Sequence, residues 1–195
     1  METLGHISFK QIFYCHVRTD KNWFEKLPAD HWFAFTIADI DDEAMIPDVA
    51  VKCMDKNVSC VCCAGQLASH TSDHFNIEAV EWEIKKAEAN EADGENARAP
   101  LITAHKNFSE GFWFATSIAS DTIEDKYLDV DKVICIDMTK NAVRKYLRNL
   151  VGEFNSGGLP SDSEFEEPEY DDGQSGIGNR QSAIGNWQSG IGNRE

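Results

Sequence analysis

The sequence predicts a three-layer α/β fold with a mainly parallel sheet of about four to five strands, Rossmann-like or flavodoxin-like in kind, followed by a disordered tail. Three observations carry that prediction. Short, continuous apolar runs recur through residues 1–155, as strands covered on both faces require. Segments with apolar residues at helical spacing lie between them. Their alternation implies βαβ units joined by right-handed crossovers.

Residues 6–17 (HISFKQIFYCHV) alternate roughly between apolar and polar and read as an edge or N-terminal strand. Residues 18–30 read as a loop carrying the aromatic pair Trp23 and Phe24, with Pro28 near its end. Trp32 to Ala38 is continuously apolar and β-preferring, and it stops at an acidic turn holding Asp39, Asp41 and Asp42. Residues 42–55 read as a helix with acids at its positive end, starting near Pro47 because proline is tolerated only in a first turn. VSCVCCAG (58–65) is a second buried strand closed by Gly65.

Residues 72–90 read as a helix with Ser72 or Asp73 as N-cap and Phe75, Val80, Ile84 and Ala87 as its apolar stripe. A polar loop, residues 88–99, leads to a third short strand, PLITAH (100–105). Asn107 or Ser109 caps a helix through GFWFATSIAS, and an acidic linker then reaches the fourth strand, KVICIDM (132–138). Thr139 is expected to cap the last helix, in which Ala142, Val143, Tyr146, Leu147, Leu150 and Val151 recur at helical spacing.

Character changes sharply near Phe154, so residues 1–155 are read as the domain and 156–195 as its tail. Seven of the eleven residues from Asp162 to Asp172 are acidic. A seven-residue unit then repeats as QSGIGNR, QSAIGNW and QSGIGNR. Each unit has one large aliphatic residue and glycines that oppose helix, so a coiled coil is rejected and disorder expected. The units resemble translated QSAIGNR-type repeats found at the ends of some bacterial reading frames.

The net charge is −16, from 18 basic and 34 acidic residues. A field of that sign repels phosphate backbones and anionic membranes, so nucleic-acid and membrane partners are not expected; basic proteins or cations are favoured. No secretory leader is read in METLGHISFKQIFYCHV and no stretch reaches bilayer-spanning length, so a cytoplasmic location is expected. The six cysteines lie mostly in apolar runs and read as buried thiols.

In open parallel sheets, ligands bind beyond the carboxyl ends of the strands. That rule nominates Asp39, Asp41 and Asp42, then Gly65, Gln66, His70 and His74, then His105 and Asn107, then Asp137 and Thr139. From this set Asp39, Asp42, His105 and Asp137 are the candidates for acid–base chemistry or for a divalent metal, the one cofactor contemplated. Asp and Asn are also what helix caps and turns demand, so the same list is expected of a non-catalytic α/β domain.

Cys60 and Cys63 have C-x-x-C spacing, but inside a strand residues three apart point to opposite faces, so core packing is the reading. His70 and His74 have the i, i+4 spacing of a ligand pair, yet a cap at Ser72 would keep them off one helix. Glycine-rich phosphate loops and the G-x-S-x-G elbow are absent. The dense aromatic segment Phe108, Phe112, Trp113 and Phe114 cannot all face one core. With Asp41 nearby in charge, Phe112 and Trp113 are the candidates for a partner-binding patch.

Trp32, Ala34, Ala38 and Asp39, followed by Thr103 and His105 and then Glu110, Trp113 and Phe114, resemble a small bacterial α/β family of unassigned function. The likeness spans about residues 30–140, and the acidic insertion at 88–99 departs from it. It implies a bacterial cytosolic protein and supports the fold more than any activity. The function expected is a non-catalytic acidic binding or accessory protein, immunity-like or part of a bacterial conflict or defence system, recognising a protein partner. The alternatives are a metal-dependent or acid–base enzyme at the carboxyl edge of the sheet, and a small-ligand or nucleotide sensor there.

Overall fold

A computed structural model of the chain describes residues 1–89, 99–119, 130–140 and 143–160. The acidic and repetitive tail from residue 161, most of the 88–99 loop, the linker at 120–129 and Ala142 lie outside the described residues.

The elements run β1 (Glu2–Ile7), β2 (Lys10–His16), β3 (Trp32–Ile37), α1 (Ile46–Asp55), β4 (Cys60–Ala64), α2 (Ala68–Ala89), β5 (Leu101–Ala104), α3 (Phe108–Trp113), β6 (Lys132–Asp137) and α4 (Arg144–Asn155). They build one six-stranded sheet in the order β1-β2-β6-β3-β4-β5. Every pairing is parallel except β1 with β2. The α/β class and the mainly parallel sheet are as expected. The strand order is neither the dinucleotide-binding nor the flavodoxin-like one.

The sheet has more strands than the sequence suggested, because the segment 6–17 spans a hairpin rather than one strand. β1 begins upstream and pairs antiparallel from Glu2↔Tyr14 to Ile7↔Lys10. The turn lacks the usual Asn-Gly signal; Ser8 takes the left-handed conformation instead, at φ 53°. Gly5 sits where the register slips, at φ 150°, and an added Cβ there would press on Val151 of α4.

Crossover handedness sorts the helices onto the two faces. β3, β4 and β5 step outward in one direction, and α1 and α2 cover one face of that step. The chain then returns from β5 to β6, so α3 and α4 lie on the other face. Strand alternation feeds both layers: Phe33, Phe35, Cys60, Cys62, Val133 and Cys135 meet α3 and α4, whereas Trp32, Ala34, Val61, Cys63, Ile134 and Ile136 meet α1 and α2. Phe35 anchors the first layer, with its ring 5.2 Å from Phe108 and 5.4 Å from Phe112.

Local starts and stops follow capping chemistry. Pro47 sits in the first turn of α1, after a 3-10 turn over Ile40–Met45. Asn107 caps α3 by accepting the Glu110 N–H, as expected, and Ser109 donates to the Asn107 side chain. α3 continues into a π turn, Phe114–Ile118, whose Thr116 carbonyl accepts from the buried Lys10 ammonium at 3.0 Å.

Two starts differ from expectation. α2 begins at Ala68, three residues after Gly65, and Ser72 is an interior residue that donates to the Ser69 carbonyl. Thr139 does not cap α4, which starts at Arg144; its N–H and hydroxyl both go to Asp137.

Candidate functional site

Two regions bear on function: the carboxyl edge of the sheet and the outer face of α2. At the edge, β3 and β6 are neighbours, and the segments after them leave for opposite faces. This is the topological switch point at which open α/β sheets bind ligands.

Here the switch point is closed by its own side chains. Arg18, from the segment after β2, donates through Nε to the Met138 carbonyl at 2.7 Å and through Nη2 to the buried Asp42 carboxylate at 2.5 Å. Asp42 Oδ2 also accepts the Asp39 N–H at 2.8 Å, closing a capping box at the start of the 3-10 turn. Asp41 points outward and pairs with Lys140, whose ammonium holds the Asp41 carboxyl below its ordinary range.

Asp137 is fully buried at the end of β6. Its Oδ1 accepts the Thr139 N–H at 2.9 Å and the Thr139 hydroxyl at 2.7 Å. Its Oδ2 accepts the Tyr14 hydroxyl at 2.6 Å and the Val143 N–H at 3.0 Å. Burial and the adjacent carboxylate push the Tyr14 phenol far above its ordinary value. A carboxylate with four donors has its lone pairs spent on tying β2, β6 and the start of α4 together. Of the four acid–base candidates, then, Asp42 and Asp137 are committed to internal partners, and Asp39 opens the turn.

His105 lies apart from them, just past β5. Its Nε2 is 2.9 Å from the Thr103 hydroxyl, and its ring is 5.1 Å from that of Phe114. The neighbouring thiols of Cys60 and Cys62 face the same layer, 3.7 Å apart. The Cys60–Cys62 hydrogen bond holds the Cys62 thiol below its ordinary value, against burial, with further help from His105 and Thr103. The same hydrogen bond, together with burial, pushes the Cys60 thiol up. Cys63 faces the opposite layer, as strand geometry required of the C-x-x-C pair. All six cysteines are buried and unbridged.

His70 and His74 share one helix after all, because α2 starts two residues before His70. Their rings meet edge to face at 4.8 Å, and His70 Nε2 is 3.6 Å from Glu43. Among the described residues, no group of three or more His, Cys, Asp or Glu side chains is placed to hold a metal ion. Asp39, Asp42, His105 and Asp137 are therefore not brought together as a ligand set.

The aromatic candidates for a partner patch divide. Phe112 is fully buried, between Phe35 and Phe154, and so is corrected from surface to core. Trp113 is half-buried and Asp41 is exposed.

The second region was not singled out by the sequence. Ile77, Val80 and Ile84 of α2 are 56%, 56% and 54% exposed, and Ala87 continues their row. On the opposite side of α2, Ala68, Phe75 and Ala79 are buried and Trp82 packs against them. The single stripe expected from Phe75 to Ala87 is thus two stripes, one docked and one facing water. The signal that separates them is the spacing 77, 80, 84, 87, a seam of alternating three and four residues that Phe75 does not join. Exposed glutamates border that seam: Glu81 and Glu88 on one side, Glu83 on the other.

Sheet order, two-sided helical cover and a self-filled switch point define a three-layer α/β protein with a net negative charge and, among the described residues, an exposed aliphatic helix face. The chain belongs to the family described as a domain of unknown function, DUF7684, whose model matches residues 12–154. No curated protein matches the chain. No solved structure matches it either. Among the described residues, no helix is long and apolar enough to cross a membrane.

Proposed function

We propose that this chain is a non-catalytic, acidic binding protein that recognises a protein partner, in an accessory or immunity-like role in the bacterial cytoplasm. One observation carries the reading: three large aliphatic side chains in a row on α2, each more than half exposed. Single exposed aliphatics are ordinary on any surface. A helical row of them is not, because keeping about half of each side chain in water forgoes roughly half of the 1.5–3 kcal/mol that full burial gives. The closed switch point supports the same reading, since its carboxylates serve internal hydrogen bonds.

The test is in-cell crosslinking of the full chain in its native host, beside an Ile84→Asp chain of unchanged circular dichroism. The reading requires a set of crosslinked proteins present with the first and lost with the second. Identical sets from the two chains would sink it.

A second reading, nucleophilic or acid–base chemistry at His105, is favoured by the 2.9 Å contact of its Nε2 with the Thr103 hydroxyl and by the Cys62 thiol nearby, which Cys60, His105 and Thr103 hold below its ordinary value. Cys62 is fully buried, so this reading needs an opening of β5 or α3 to admit a substrate. Alkylation of the native chain at neutral pH discriminates: selective labelling of Cys62 supports chemistry there, and labelling only on unfolding removes it.

A further inference from the structure

Resting on that reading, we infer that the partner element docked on α2 is an amphipathic helix whose apolar seam is flanked by lysines or arginines. The geometry comes first. Ile77, Val80, Ile84 and Ala87 follow the 3-4-3 spacing of a and d positions, which puts them on one line along the helix. Phe75, Ala79 and Trp82 fall on the other side and hold α2 to the sheet. The row is therefore free of the domain's own core and has the β-branched residues that pack knobs into holes.

Charge then selects the occupant. In the same register Glu81 and Glu88 take e positions and Glu83 a g position, all exposed. A second copy of α2 laid against this one would bring glutamate to glutamate along both flanks, whether the helices ran parallel or antiparallel. Like charges across a seam disfavour that pairing, and e and g charges choose partners in this way. The chain's own segment 162–172, with seven acids in eleven residues, carries the same sign of charge as those three glutamates. A helix with basic flanks meets complementary charge on both sides of an apolar seam. The overall charge of −16 speeds the approach of such a partner at low salt.

The test uses the full chain and synthetic peptides of about three heptads, with isoleucine and leucine at a and d. One peptide carries lysine at e and g, a second carries glutamate there, and a third has the composition of the first with its apolar residues scrambled out of register. Fluorescence anisotropy should show the lysine peptide binding at least about tenfold more tightly than either control, with salt weakening it. Ile77→Asp and Ile84→Asp should each cost the chain about tenfold or more, with circular dichroism unchanged. The triple exchange Glu81→Lys, Glu83→Lys, Glu88→Lys should reverse the preference toward the glutamate peptide.

Equal binding of the scrambled peptide would overturn the inference, since net charge alone would then explain it. Sedimentation showing a dimer that Ile84→Asp dissolves would overturn it in favour of a second copy. If the in-cell partners vanish with Ile84→Asp while the lysine peptide fails to bind, the binding-protein reading stands and the basic helix falls. If the partner set is insensitive to Ile84→Asp, the reading beneath it falls as well.

Discussion

Asp137 and Ile84 occupy the wrong sides of the molecule by the usual rule, one a carboxylate in the core and the other an aliphatic in water. Their surroundings explain them differently. Asp137 receives four hydrogen bonds, so its burial is compensated in full by the protein that surrounds it. Ile84 and its neighbours Ile77 and Val80 have no such compensation within the described domain surface. A buried polar group with every lone pair occupied is architecture. An exposed apolar row with acidic borders is the surface that the proposed partner helix would bury.

The contrast breaks most visibly at Asp137. Replacing it by Ala strands the Tyr14 hydroxyl, the Thr139 hydroxyl and two backbone N–H groups, at an expected cost of about 3–5 kcal/mol. Urea denaturation of Asp137→Ala measures this; a loss below about 1 kcal/mol would show that water satisfies those donors and that the site is more open than it looks.

Gly65→Ala comes next. Its φ of 92° is unfavourable for alanine, and the new Cβ would stand 2.5 Å from the Ala38 carbonyl oxygen. Strain of about 1–3 kcal/mol is expected, read as a lower denaturation midpoint. The mutation tests whether the carboxyl ends of β3 and β4 are as tightly fitted as the switch-point hydrogen bonds indicate.

On the outer face the expected stability effect is far smaller. Ile77→Asp and Ile84→Asp should each stay within about 0.5 kcal/mol of the parent in the same denaturation experiment, since neither side chain supports the core. A large loss in either would move the row from interaction to structure and erase the comparison.

The smallest effect is a surface acid with partners, intermediate between the two extremes. Lys26 and the N-terminal ammonium hold the Asp20 carboxyl down to about 2, from an ordinary value of 3.8. The folded form thus favours the carboxylate. Its contribution is complete above about pH 4 and is lost as pH falls toward 2, the folded pKa. Carboxyl chemical shifts followed by NMR should give that value, and Lys26→Ala should raise it. Because the pair lies at the surface, with Lys26 exposed and Asp20 half-buried, the associated stability change is small.

How much of this was legible in the sequence depends on what each segment had to satisfy. β3 and β4 were plain, since strands covered on both faces leave uninterrupted apolar runs such as WFAFTI and CVCCA. β1 was not. ETLGHI contains a glycine and a histidine and is recognisable as a strand only through its pairing with β2 and its contacts with α4. The Arg18–Asp42 contact joins residues 24 apart, and the Tyr14–Asp137 bond joins residues 123 apart. No local pattern encodes either. Sequence position alone put the edge residues at the ends of strands, while their occupation by internal partners was visible only in three dimensions. On α2 the obstacle was different: two apolar stripes on opposite sides blur into one when periodicity is read over the whole helix.

The strand order carries a consequence for synthesis. β6 lies between β2 and β3 and is the last of the six strands in the chain. Until it emerges from the ribosome, the β1–β2 hairpin and the β3–β4–β5 block have no shared edge, and each has an inner strand whose partner is still to come. The two halves of the nascent sheet are thus bridged in a single late step. Glu2, with Arg144 and Arg148, then fastens the first strand to the last helix. A chain interrupted before residue 132 is left with two open sheets rather than a shortened version of one.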